Sequence, residues 1–98
     1  MVRHVALFRW KDGTTPDQIA EAKRRLEELP GRIPEVRRFA CGPDVGGADG
    51  HWDFAVAADF DDLAAYRVYA THPDHLAAVG ESIVPHRGDR AVLQYAID

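Results

Sequence analysis

The chain has one cysteine, Cys41, among 98 residues. No disulfide can therefore close within it, and a cytoplasmic address is the expectation. No apolar run approaches the roughly 20 residues that a membrane-crossing helix needs. Arg3-His4 leads straight into a strand-like run, so no signal peptide is expected either. Positive charge is also in deficit: 12 basic residues stand against 16 acidic ones, a formal net charge of −4. Arg24-Arg25 and Arg37-Arg38 are isolated pairs, not a stripe, which argues against nucleic acid or an anionic membrane as partner. Gly42, Gly46, Gly47 and Gly50 form neither a GxGxxG nor a phosphate-loop pattern, so no nucleotide cofactor is expected. HExxH spacing is missing as well. His72 and His75 stand three apart, while His51, Asp53 and His86 lie far from them in sequence. No metal and no other cofactor is expected, although weakly held magnesium or calcium on carboxylates and loop carbonyls stays open.

What is present suffices for one folded domain over residues 1–98, since 46% of the residues are hydrophobic. Val2 to Trp10 reads as a strand. Pro16 opens a helix behind Thr15 as its cap, and Ile19, Ala22, Leu26 and Leu29 recur at helical spacing until Pro30-Gly31. Glu35 to Cys41 reads as a second strand, Gly42 to Gly50 as a loop, and His51 to Phe60 as a third strand. Asp59 or Asp61 is expected to cap a second helix carrying Leu63, Tyr66 and Ala70, broken before Pro73. Leu76, Val79 and Ile83 mark a short third helix, and Pro85 to Asp89 turns the chain into a last strand, Arg90 to Ile97. The order βαββαβ, with its second helix broken in two, is α+β and ferredoxin-like: a four-stranded antiparallel sheet with helices on one face.

A sheet with one wet face should alternate apolar and polar residues. Three of these four strands do not. The first has Ala6, Phe8 and Trp10 on one parity and Val5 and Leu7 on the other; the third and fourth behave likewise. The helices are too few to cover two faces, so a second copy of the same sheet is the expected cover, giving a homodimer.

Tyr69-Ala70-Thr71-His72-Pro73-Asp74-His75 holds the densest chemistry. Pro73 suits the first position of a helix, which puts His72 near the N-cap and His75 in the first turn. N–H groups at a helix start disfavour a proton on a nearby imidazole, so His75 reads as a neutral base. His4 shares the parity of Ala6, Phe8 and Trp10 and should look toward Tyr69 and His75 if that parity meets the helices. His75 would take a proton while Tyr69 donates to a carbonyl oxygen or enolate, with His4 beside them. Phe8, Trp10, Phe54, Tyr66 and His72 are the candidate pocket residues. Cys41 could act as a nucleophile but reads as an ordinary strand-end residue. RNA recognition, which the ferredoxin-like order also raises, would use aromatics such as Phe8 and Trp52 beside His4; the acidic balance opposes it.

Arg3-His4-Val5-Ala6-Leu7-Phe8-Arg9-Trp10-Lys11, Trp52-Asp53-Phe54-Ala55-Val56 with Phe60 and Tyr66, and the HPxH segment His72 to His75 together resemble the stress-responsive A/B barrel (Dabb) family. The resemblance covers essentially the whole chain. It implies a dimeric α/β barrel made of two ferredoxin-like sheets. One plant relative, olivetolic acid cyclase, closes a linear polyketide without a cofactor, using a tyrosine and a histidine that fall on Tyr69 and His75. Its first-strand pocket histidine falls on His4. Where that enzyme has a further pocket histidine on the third strand, this chain has Phe54, and the region around His86-Arg87 does not match.

Two functions follow. One is a dimeric small-molecule-binding protein doing cofactor-free acid/base chemistry, cyclase- or lyase-like, on a polyketide-like or aromatic carbonyl compound. The other is a non-catalytic, stress-associated or ligand-carrying dimer. The enzymatic reading requires a cavity of roughly 300 Å³ or more that touches both Tyr69 and His75; a packed seam with those side chains tied to backbone would sink it.

Overall fold

A computed structural model describes all residues from Met1 to Asp98. Its elements run β1 (Val2–Trp10), α1 (Pro16–Glu27), a 3₁₀ turn (Leu29–Gly31), β2 (Arg38–Pro43), β3 (Phe54–Phe60), α2 (Leu63–Thr71), α3 (Pro73–Ala78), a π-helical turn (Val79–Ile83) and β4 (Arg87–Ala96). The strands form one antiparallel sheet in the order β2-β3-β1-β4. This is the expected ferredoxin-like α+β fold, with its second helix broken at Pro73.

Local chemistry sets the element ends. Thr15 accepts from the Gln18 N–H at 3.2 Å while the Gln18 side chain accepts from the Thr15 N–H at 2.9 Å, a complete capping box for α1. Asp62, neither Asp59 nor Asp61, caps α2 by accepting from the Ala65 N–H at 2.8 Å. Asp59 and Asp61 instead meet Arg3 and Arg37. Strand boundaries shift too. β2 begins at Arg38, after a turn in which the Val36 N–H reaches the Ile33 carbonyl, and it keeps Gly42 and Pro43. β3 begins only at Phe54, and β4 begins at Arg87, inside the segment expected to turn. Leu76, Val79 and Ile83 do not share one buried face: α3 yields to the π-helical turn after Ala78, leaving Leu76 56% exposed and Ile83 fully buried.

The two sheet faces differ. His4, Ala6 and Phe8 of β1 and Phe54, Val56, Ala58 and Phe60 of β3 are buried beneath the helices with Leu26, Tyr69 and Ile83. Side chains as fully enclosed as Phe54 and Phe60 contribute about 1.5–3 kcal/mol each. The opposite face presents Val5, Leu7, Ala55, Ala57, Ala91 and Leu93, which strand register sets side by side. Leu93 is 63% exposed and nothing within the chain covers it. No helix is long and apolar enough to cross a membrane.

Candidate functional site

Three elements bring the chemical groups together beneath the helices. β1 supplies His4, whose ring lies 4.8 Å from that of Tyr66 on α2. α2 also supplies Tyr69, buried and packed on Phe60 at 5.2 Å. The break at Pro73 folds α3 back so that the His75 ring lies 4.2 Å from the Tyr69 ring. Five residues proposed from the sequence, His4, Phe8, Tyr66, Tyr69 and His75, line one cavity.

The two histidines of the HPxH segment take opposite jobs. His72 Nδ1 accepts from the Asp74 N–H at 3.0 Å, which makes it the N-cap of α3. It does not line the cavity. His75 Nδ1 lies 3.1 Å from the Ala70 carbonyl oxygen. A carbonyl can only accept, so Nδ1 carries the proton and the neutral ring keeps its free lone pair on Nε2.

Burial is the main electrostatic influence. It pushes the His75 pKa below its ordinary 6.5, helped by His72 and opposed by the Ala70 carbonyl. Desolvation is thus the first cause, ahead of any helix-start effect. Burial also lowers His4, with the nearby His75 and Arg90 acting in the same direction and Gln94 against them. His4 Nδ1 is buried without a hydrogen-bond partner. Tyr69 moves the other way: burial, then Tyr66 and Cys41, raise its pKa and keep the phenol a proton donor. The chamber therefore holds two neutral imidazoles and a neutral phenol at pH 7.

Its volume is about 110 Å³, well short of the 300 Å³ expected. Leu26, Val56 and Ile83 fill the space that a larger ligand would need. Tyr66, Arg90 and Val92 also line an adjoining shallow groove of about 270 Å³.

Trp10 and Phe54 lie outside this chamber. They form an aromatic cluster with Phe8, their own rings 5.4 Å apart, and Trp10 Nε1 has no acceptor. Phe54 instead borders a larger cavity of about 490 Å³ with Leu7, Trp52 and Ala55. There His51 Nδ1 lies 3.2 Å from both Asp44 carboxylate oxygens, and Arg9 stacks over Trp52 at 4.3 Å. Cys41 is half-buried; desolvation pushes its thiol pKa up to about 11, the opposite of nucleophilic activation. No group of three or more His, Cys, Asp or Glu side chains is arranged to hold a metal.

Sequence reasoning missed Arg87 and Arg90, both of which line the chamber. Three residues apart on a regular strand, they would point to opposite faces. Pairing steps from Phe8–Arg90 to Trp10–Arg87, so β4 carries one residue more than β1 over that interval. This bulge turns both arginines to the helix side. Only the pairing register shows it.

One antiparallel sheet, one helical layer and a titratable chamber between them define a ferredoxin-like α+β protein. Residues 2–97 match the family model of the stress responsive A/B barrel domain, and the chain belongs to that family. It is similar to a dimeric ferredoxin-like protein of unknown function from Thermobifida fusca, with 47% identity, a TM-score of 0.90, and 98% of this chain and 90% of that one covered. It is also similar to a hydroxynitrile lyase from Passiflora edulis, with 26% identity, a TM-score of 0.85, and 99% and 93% covered. An uncharacterized Streptomyces coelicolor protein, SCO4036, is 31% identical over 81 residues, spanning 81% of this chain and 84% of that protein.

Proposed function

We propose that this protein is a homodimer whose helix-covered chamber binds a small carbonyl compound and moves a proton on it without a cofactor. The observation that carries the reading is the His75–Ala70 contact, which leaves Nε2 as the free base beside the Tyr69 phenol. His75 Nε2 takes a proton from carbon next to the carbonyl. The bonding pair moves toward the carbonyl oxygen, and the Tyr69 hydroxyl donates a hydrogen bond to the enolate that forms. His4, neutral and with an unpartnered Nδ1, is the third polar contact for that oxygen.

The 110 Å³ chamber, below the size set for the enzymatic reading, restricts proton transfer to a small carbonyl end and leaves no room for the folding of a long polyketide such as olivetolic acid cyclase handles. Phe54, where the cyclase has a further histidine, points the same way. Support for the dimer comes from the uncovered apolar face and from the dimeric Thermobifida fusca relative.

Proton–deuterium exchange at the α-carbon of acetophenone, followed by NMR, tests the chemistry. His75→Ala should slow catalysed exchange about 100-fold. The small chamber also suits a ligand carrier that performs no chemistry, and equal exchange by the wild type and His75→Ala would establish that reading instead.

A further inference from the structure

Resting on the chamber reading above, we infer that the ligand is a small organic anion. Its carboxylate meets Arg87 and Arg90, and its carbonyl or hydroxyl end reaches Tyr69 and His75. The walls are otherwise apolar, and no acidic residue lines the chamber. Arg3, Arg24, Arg25 and Arg37 all have carboxylate partners within 4.0 Å, whereas Arg87 and Arg90 have none. Asp89, between them in sequence, turns to Arg9 at 4.0 Å. The bulge that separates Asp89 from the two arginines thus creates an uncompensated positive pair at an apolar opening.

Cations beside apolar surface gain most from a partner that is itself charged and partly desolvated. Arg90 also borders the 270 Å³ groove outside the chamber, so an anion held there leaves the rest of the molecule free to point inward. Gly88 lies in the bulge close to β1, where a Cβ would meet the Arg9 carbonyl oxygen at 3.4 Å. All the groups facing this opening are cationic or neutral, so it selects by charge.

The test compares 4-hydroxybenzoate with 4-hydroxybenzamide, matched in shape and differing in charge, by NMR titration of the full chain at pH 7.5 and low salt. Both should shift signals of Tyr69 and His75, with the carboxylate binding roughly fivefold more tightly and losing that advantage as salt rises. Arg90→Gln and Arg87→Gln should each reduce the preference, weakening the carboxylate more than the amide. Arg24→Gln, on the outer face of α1, should leave it intact. Equal binding of the two compounds, or a preference untouched in both chamber variants, overturns the anionic ligand but not the chamber. Shifts confined to Trp52 and His51, or none from either compound, overturn the chamber reading with it.

Discussion

The two faces of one sheet carry similar apolar residues and end in different states. Under the helices, aromatic and branched side chains close the space until about 110 Å³ is left, and that remnant is bounded by His4, Tyr69 and His75. On the open face a larger cavity, about 490 Å³, is bordered by Leu7, Trp52 and Ala55. Size alone would choose the open cavity as the functional one. The proposed function rests on the smaller, because only there does burial hold imidazoles neutral and a phenol protonated at a shared void. The larger space lies between the β2–β3 connection and the sheet; space under the helices is what a packed core failed to fill.

The contrast breaks most sharply at Phe60, fully buried under the helices against Tyr66 and Tyr69. Phe60→Ala should lower unfolding free energy by about 3–5 kcal/mol in urea titrations. A loss below about 1 kcal/mol would mean that the covered face is not the core. Leu93→Asp on the open face should leave the circular dichroism spectrum unchanged while light scattering falls from a dimer to the 10.9 kDa single chain. A wild-type protein already at that mass would remove the sheet-to-sheet pairing altogether.

A smaller effect separates the faces by pH. His4 and His75 have folded pKa values below 6.5, so the unfolded chain binds more protons than the folded one just under that pH. Their contribution to stability is complete above pH 6.5 and is lost as pH falls from 6.5 through the lower folded values. On the open face, Arg3 clamps Asp59 at 2.7 and 3.0 Å and holds its carboxyl below the ordinary 3.8. That contribution is complete above pH 3.8 and disappears only as pH falls further. Urea midpoints between pH 7 and 5 should therefore decline in the wild type and decline less in His75→Gln, with Asp59→Asn sharing the wild-type slope. Parallel slopes for all three chains would detach the histidines from the acid loss.

Much of this was legible along the chain. Helical spacing from Ile19 to Leu29, the two-faced strands and the Pro73 break are local patterns, and local patterns report element type well. The cap on His72 was legible because a proline at the first helical position fixes what precedes it. The pocket list was less secure. Trp10 and Phe54 share the parity of Phe8, yet they pack on each other at the other end of the sheet, and parity says nothing about position along it. The start of α2 was less legible because several acidic residues competed for it: Asp62 took the cap while Asp59 and Asp61 met arginines.

The sequence by itself determined the order of strands and helices, the apolar character of both sheet faces and the placement of His72 at the cap and His75 inside α3, because each follows from periodicity or from proline's fixed geometry. Only the tertiary structure decided that the chamber is small, that Ala70 fixes the His75 proton on Nδ1, and that a one-residue bulge turns Arg87 and Arg90 to the same side. Volume and pairing register depend on residues far apart in the chain, and the Ala70–His75 contact, though it spans only five residues, depends on how the chain folds at the Pro73 break.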